Sequence, residues 1–204
     1  MLFNNFIKSG NIRLDQQLQF TAEIDKMTAV MRRTLLIDKS RRENDAEHSW
    51  HIAVMALLFE EYAKEKVNIG HAVKLCVVHD LVEIYAGDTY AYDSTGNKSK
   101  AERESKAADK LFSQIPQDQG KEIRSLWVEF DAENTPESKY AACLDRIQPF
   151  LHNVLTDGQS WQEHHPSRTD VSGRMKIIKD FMPEVYSWIE KNLDNAVKNG
   201  WLKD

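Results

Sequence analysis

The sequence predicts an all-α fold, a single globular helical bundle. Three observations carry that expectation. Apolar residues return at helical spacing, as at Leu14, Leu18, Ile24, Met27 and Val30, and again at Ile52, Met55, Ala56, Phe59 and Tyr62. Helix-start signals stand where such patterns begin: Asn44 or Asp45 ahead of one, and Pro136 in the first turn of another. No two segments alternate convincingly enough to pair as strands, and there is no repeat or low-complexity tract.

In chain order, residues 1–13 are polar and read as an arm or short turn, and Leu14 to Val30 as a helix. Met31 to Ile37 sets Arg32 and Arg33 beside an apolar patch, and Asp38 to Asn44 is a charged loop. The next helix runs to about Lys66, with Glu47 and His48 in its first turn, and Asn68–Ile69–Gly70 ends it. A third helix begins near His71 and carries the apolar run Leu75–Cys76–Val77–Val78 into His79–Asp80. Thr89 to Asn97 is a loop, and residues 98–114 form an exposed helix of alternating charge that Pro116 closes. Lys121 to Glu133 and about 136–156 are further helices. Gln159 to Asp170 is a polar loop with His164 and His165 at the surface, and Val171 to Val197 makes one or two helices around Pro183.

The bulk numbers narrow the classes. A chain of 204 residues with 41% apolar and 29% charged residues suits one folded domain rather than disorder. A net charge of -5 argues against a general nucleic-acid binder, which needs a basic footprint. The two cysteines, Cys76 and Cys143, lie in apolar helical patterns without a CxxC, so they read as reduced core thiols of a cytoplasmic protein. Met1 to Asn5 lacks a charged start followed by an apolar core, so no signal peptide is expected, and the run Ile52 to Phe59 is too short to cross a bilayer.

The chemistry concentrates at His79–Asp80–Leu81–Val82–Glu83–Ile84–Tyr85–Ala86–Gly87–Asp88. Charges following so apolar a run are costly to bury unless they are paired or bound to metal. On a helix Glu83 shares a face with His79 and Asp80. His48 opens a second apolar helix, and Asp145 lies inside Ala141–Ala142–Cys143–Leu144–Asp145–Arg146–Ile147. Pro149 leaves the Asp145 carbonyl without its helical partner, which should distort the helix there. A lone helical His is commonly a satisfied core residue, and Asp145 beside Arg146 commonly an ion pair. Together, two imidazoles and two carboxylates suit Zn, Mn, Fe, Co or Ni, with positions left for water.

Taken in order, His48, the His79–Asp80 doublet and the distant Asp145 resemble the HD-domain metal-dependent phosphohydrolases. The wider context of Arg33, Glu47–His48–Ser49, Glu83 and Gly87–Asp88 is similar to the branch that holds 5'-deoxynucleotidases. The resemblance covers roughly residues 20–155. It implies a single HD domain over 1–204, with its core at about 20–155 and a C-terminal helical extension at about 170–200. It implies that His48, His79, Asp80 and Asp145 hold one divalent ion, among Co, Mn, Zn, Fe, Ni and Mg. Glu83 would activate or position the attacking water, Arg33 or the adjacent Arg32 would bind substrate phosphate, and Asp88 would contact the sugar or order the pocket. The substrate would be a small phosphorylated metabolite, a nucleoside 5'-monophosphate or its deoxy form, and the protein a homodimer. The rivals are a phosphodiesterase or triphosphate hydrolase of the same superfamily, and a non-catalytic helical module stapled by metal. Arg41 and Arg42 could edge the pocket, Tyr90 and Tyr92 could stack on a base, and His51 and His152 share helix faces with the ligands. Trp127 and Phe130 read as core.

Overall fold

The structure, a computed structural model, describes residues 5–204, so the first four residues of the expected N-terminal arm lie outside the described residues. Helix α1 (Ile12–Ile24) is capped by Asn11, whose side chain accepts from the Leu14 amide, and a 3-10 turn continues it over Asp25–Ala29. The chain then departs from expectation. Strands β1 (Met31–Leu35) and β2 (Arg42–Asn44) pair antiparallel, so the charged loop is the tip and return of a small hairpin. Hydrophobic alternation missed it for a physical reason. The inward positions of β1 are the polar Arg32 and Thr34, while Met31 and Arg33 face out.

Asn44 closes β2 and opens α2 (Asp45–Leu58) with a reciprocal cap: its side chain accepts from the Glu47 amide, and the Glu47 carboxylate accepts from its own. α2 ends before the expected Lys66, in a 3-10 turn at Glu60–Tyr62. Asn68 caps α3 (Ile69–Val78), and the short α4 (Glu83–Ala86) ends at Gly87, whose φ of 74° reverses the chain toward Asp88. Helix α5 (Asn97–Phe112) is not the fully solvated element its charges suggest, because Ala107, Ala108, Leu111 and Phe112 bury one face. α6 (Gln117–Ala132) and α7 (Pro136–Leu155) follow, and α7 stays one helix through Pro149.

The expected polar loop after α7 holds α8 (Gln159–His164) and the start of α9 (Arg168–Arg174). Six residues are too few to show a period, and the burial of Trp161 and Ser160 supplies what the pattern could not. α10 (Lys176–Phe181) and α11 (Pro183–Lys198) complete the chain, broken at Pro183 as expected.

Two apolar clusters hold these elements. The larger joins α2, α3, α7 and the last three helices through Ile52, Leu75, Tyr140, Leu144, Ile178 and Ile189. The smaller joins α1, the turn after α3, and α5 through Phe20, Val82, Leu111 and Phe112. Cys76 and Cys143 are free thiols in the larger cluster, and burial pushes each up to about 12, so neither supplies a thiolate near neutral pH. Among the described residues no helix is long and apolar enough to cross a membrane.

Candidate active site

Helices α2, α3 and α7 bring His48, His79, Asp80 and Asp145 to one point beneath a cleft. The cap at Asn44 sets His48 in the first turn of α2, fully buried against α7. His79 ends α3, and the turn that follows presents Asp80 beside it. His48 Nε2 lies 3.1 Å from Asp145 Oδ1 and 3.9 Å from Asp80 Oδ2. His79 Nε2 lies 3.0 Å from Asp80 Oδ2 and 3.8 Å from Asp145 Oδ1.

The far side of each imidazole sets its proton. His79 Nδ1 is 2.8 Å from the Cys76 carbonyl and His48 Nδ1 is 2.9 Å from Gln148 Oε1, both acceptors. Each Nδ1 therefore donates, which leaves each Nε2 facing the two carboxylates, open to a proton or an ion. Two ring nitrogens and two anions facing one point call for positive charge there, a proton or a metal ion. His79 Nε2 is buried and finds no hydrogen bond of good geometry, although Asp80 is at contact distance. His48, His79 and Asp145 offer atoms close enough together to hold one divalent ion, and Asp80 lies beside them, 3.0 Å from His79 Nε2.

The titration of the site states the same need. Burial disfavours a charged His79, but the Asp80 and Asp145 carboxylates outweigh it and push the imidazole up to about 10. Burial opposes charge on Asp80 as well, yet His79 and Arg32 hold it well below the usual carboxylate range. Burial opposes charge on Asp145 too, but the His48 and His79 rings facing it and the Arg174 guanidinium hold it low. His48, buried and facing the Arg32 charge, falls to about 4 and stays neutral. One proton on His79 thus stands where a cation would neutralise the cluster.

A second group, Asp45, Asp80 and Glu83, adjoins the first. Arg32 is its counter-ion: Nη1 lies 2.8 Å from Asp80 Oδ2 and 3.2 Å from Asp45 Oδ1, and Nε 3.7 Å from Glu43 Oε1. Burial, then the neighbouring Asp80 and Asp45 charges, raise Glu83 well above the ordinary range. Its Oε2 is buried without a partner. Burial likewise carries Asp45 and Glu43 up to about 7.

The cleft over these groups holds about 940 Å³ of empty space, its open mouth included. Asp88, half-buried, and Arg33, exposed, both line it. So do Lys100 of α5, Phe130 of α6, whose ring lies 4.6 Å from that of His79, and Arg174 of α9. Tyr90 and Tyr92 line it too, their rings 5.3 Å apart, and the exposed His164 stacks on Tyr90 at 4.4 Å. Arg41 and Arg42 turn away, to Glu47 and to Glu163.

Sequence reasoning missed the layer behind His48. Gln148, fully buried, accepts from His48 and donates to Glu43 Oε2 at 2.8 Å. His51 and His152 touch Gln148 at 3.3 and 3.1 Å rather than the ligand cluster, so their shared faces placed them one residue further out. A glutamine in an apolar helix carries no motif, and only its spacing three residues after Asp145 placed it on that face.

Comparison with known proteins matches an HD-domain family model over residues 24–186. A human protein named 5'-deoxynucleotidase HDDC2 is 28% identical over 152 residues, 74% of this chain and 72% of its own length. A 5'-deoxynucleotidase from Schizosaccharomyces pombe is 23% identical over 79% of this chain and 74% of its own. The crystal structure of a predicted metal-dependent phosphohydrolase from Magnetospirillum magnetotacticum MS-1 superposes with a TM-score of 0.91 at 44% identity, covering 98% of this chain and 100% of that one.

Proposed function

The chain belongs to the HD-domain family, and from that premise we propose that it is a metal-dependent phosphomonoesterase that hydrolyses nucleoside 5'-monophosphates, deoxynucleotides among them. One observation carries the reading: two imidazole nitrogens and two carboxylates converge on the floor of an open cleft beside a buried, unpaired Glu83 oxygen. The names of the human and fission-yeast relatives support the substrate class.

His48, His79, Asp80 and Asp145 would hold the ion. What a divalent cation supplies in such a site is a water of lowered pKa and stabilisation of charge on phosphoryl oxygens. Burial and the acidic neighbours of Glu83 raise its basicity when ionised, which suits it to take a proton from the attacking water. Arg32 is committed to Asp80 and Asp45, so the phosphate contact falls to Arg33, whose fork is exposed on the cleft wall. Gly87 turns Asp88 into the cleft, where its carboxylate suits a sugar hydroxyl. The reading treats residues 1–204 as one HD domain acting in the cytoplasm. It also places a homodimer contact on the exposed apolar residues Trp50, Leu57, Leu58, Leu155 and Trp188.

A panel of mono-, di- and triphosphates and cyclic nucleotides, assayed with Co, Mn, Mg, Zn, Ni and Fe, tests it. Orthophosphate and nucleoside should appear from monophosphates. Nucleotide products from the others alone would move the protein to diester or triphosphate chemistry, and no release from any would refute the hydrolase. Glu83→Gln should lower kcat by about 10²–10⁴ while metal content holds. Its melting temperature should hold or rise, because the substitution removes a buried, uncompensated carboxyl.

A further inference from the structure

Beyond the family's ordered residues, the C-terminal helices deliver one more cation to the site. Arg174 is the last residue of α9, and its Nη2 lies 3.5 Å from Asp145 Oδ2. Asp145 is thereby divided: Oδ1 faces His48 and His79, and Oδ2 faces the guanidinium. Among the described residues Asp145 is the only carboxylate that Arg174 pairs with, and its side chain keeps about a third of its surface open, 33%. Of the other guanidinium groups that line the cleft, Arg33 is exposed and two are engaged. Arg32 serves three carboxylates, and Arg146 gives Nη1 to the Ala142 carbonyl and Nη2 to Glu133.

The segment that carries Arg174 is held firmly for so short a helix. Ser167 and Asp170 cap it reciprocally, Val171 and Met175 root it in the larger core, and the Arg168 amide donates to Lys203. Arg168 also pairs with Asp194 of α11 at 2.6 Å. A guanidinium fixed at its base and open at its tip, between a carboxylate and the open cleft, is placed to meet a phosphate.

We infer that Arg174 is a positioning residue for Asp145 and, with its remaining donors, a second phosphate contact in addition to Arg33. This rests on the phosphomonoesterase reading and adds a residue to it. It holds Asp145 with one oxygen toward the imidazoles, so its loss should loosen metal binding as well as phosphate binding.

Two titrations on the full chain test this: Co²⁺ into metal-free protein, followed by visible absorption, and orthophosphate into the cobalt form, followed by calorimetry. Arg174→Gln should weaken both by about tenfold or more. Arg174→Lys keeps the charge without the fork and should fall between it and wild type. Lys176→Gln removes an equal charge two residues along, from an exposed side chain outside the site, and should leave both affinities unchanged. An Arg174→Gln protein that melts early yet binds cobalt and phosphate as wild type does would overturn the inference, leaving a structural ion pair. If wild type itself neither binds phosphate nor cleaves any nucleotide, the hydrolase reading fails and the phosphate contact with it. If wild type binds phosphate and Arg174→Gln binds it equally, only the present inference fails.

Discussion

Replacing Gln148 with leucine should cost both stability and metal affinity, although the side chain does not line the cleft and meets the cluster only through the far side of His48. Gln148 accepts from His48 Nδ1 at 2.9 Å and donates to Glu43 Oε2 at 2.8 Å in a site with no solvent exposure. Leucine fills nearly the same volume, so no cavity term enters. What changes is that the His48 N–H and the Glu43 oxygen each lose a partner, at about 1–3 kcal/mol apiece. Glu43, already raised to about 7, can take up a proton and soften its share. A net loss of about 2–4 kcal/mol follows, which at this chain length lowers Tm by roughly 5–15 °C. Without the acceptor on Nδ1, His48 is free to change tautomer and turn its Nε2 lone pair from Asp145. The loss of such an orienting bond lowers metal affinity by about 10–100-fold. Thermal unfolding of the metal-free protein and a Co²⁺ titration read the two effects separately. Gln148→Glu restores an acceptor for His48 while facing Glu43 with a second carboxyl, so it should recover cobalt affinity and remain unstable above pH 7. Leucine-variant protein that binds cobalt within about twofold of wild type would refute the claim that Gln148 sets the His48 tautomer.

Arg32→Met should destabilise the metal-free protein by about 3–5 kcal/mol, because it strands Glu43, Asp45 and Asp80 as buried charges. Arg33→Ala should instead raise KM with Tm moved by less than about 2 °C, its side chain being exposed; equal melting of the two variants would sink the division of labour between them. Without metal, Tm should fall as pH rises from 6.5 toward about 10. Across that window folded His79 keeps a proton that the unfolded chain has released, so the folded state loses its advantage as pH climbs. Glu43 works in the same direction between 4.5 and about 7, being a carboxyl whose folded pKa is raised. Cobalt-loaded protein should show a flatter profile, since the ion takes the Nε2 lone pair, and a metal-free Tm that is level across this range would contradict the proton's role.

What could be read in advance follows from how many residue types can fill each role. A divalent ion accepts few donors, so His48, His79, Asp80 and Asp145 stood out once each was placed in an apolar helix of recognisable period. Choosing between Arg32 and Arg33 needed a strand, and β1 is invisible to hydrophobic alternation because the residues it turns inward are themselves polar. Holding a ligand in place is chemically less demanding. An amide, a backbone carbonyl or a guanidinium serves equally, as Gln148, Cys76 and Arg174 do here. Their roles depend on which helix lies opposite, and nothing local in the chain records that. The short α8 and α9 compound the difficulty, since each is fixed by single buried residues such as Trp161 and Val171 rather than by a repeated face. The ligands are thus specified by chemistry and the supports by topology. Substitutions at Gln148 and Arg174 should therefore tune metal affinity and phosphate affinity without changing the reaction.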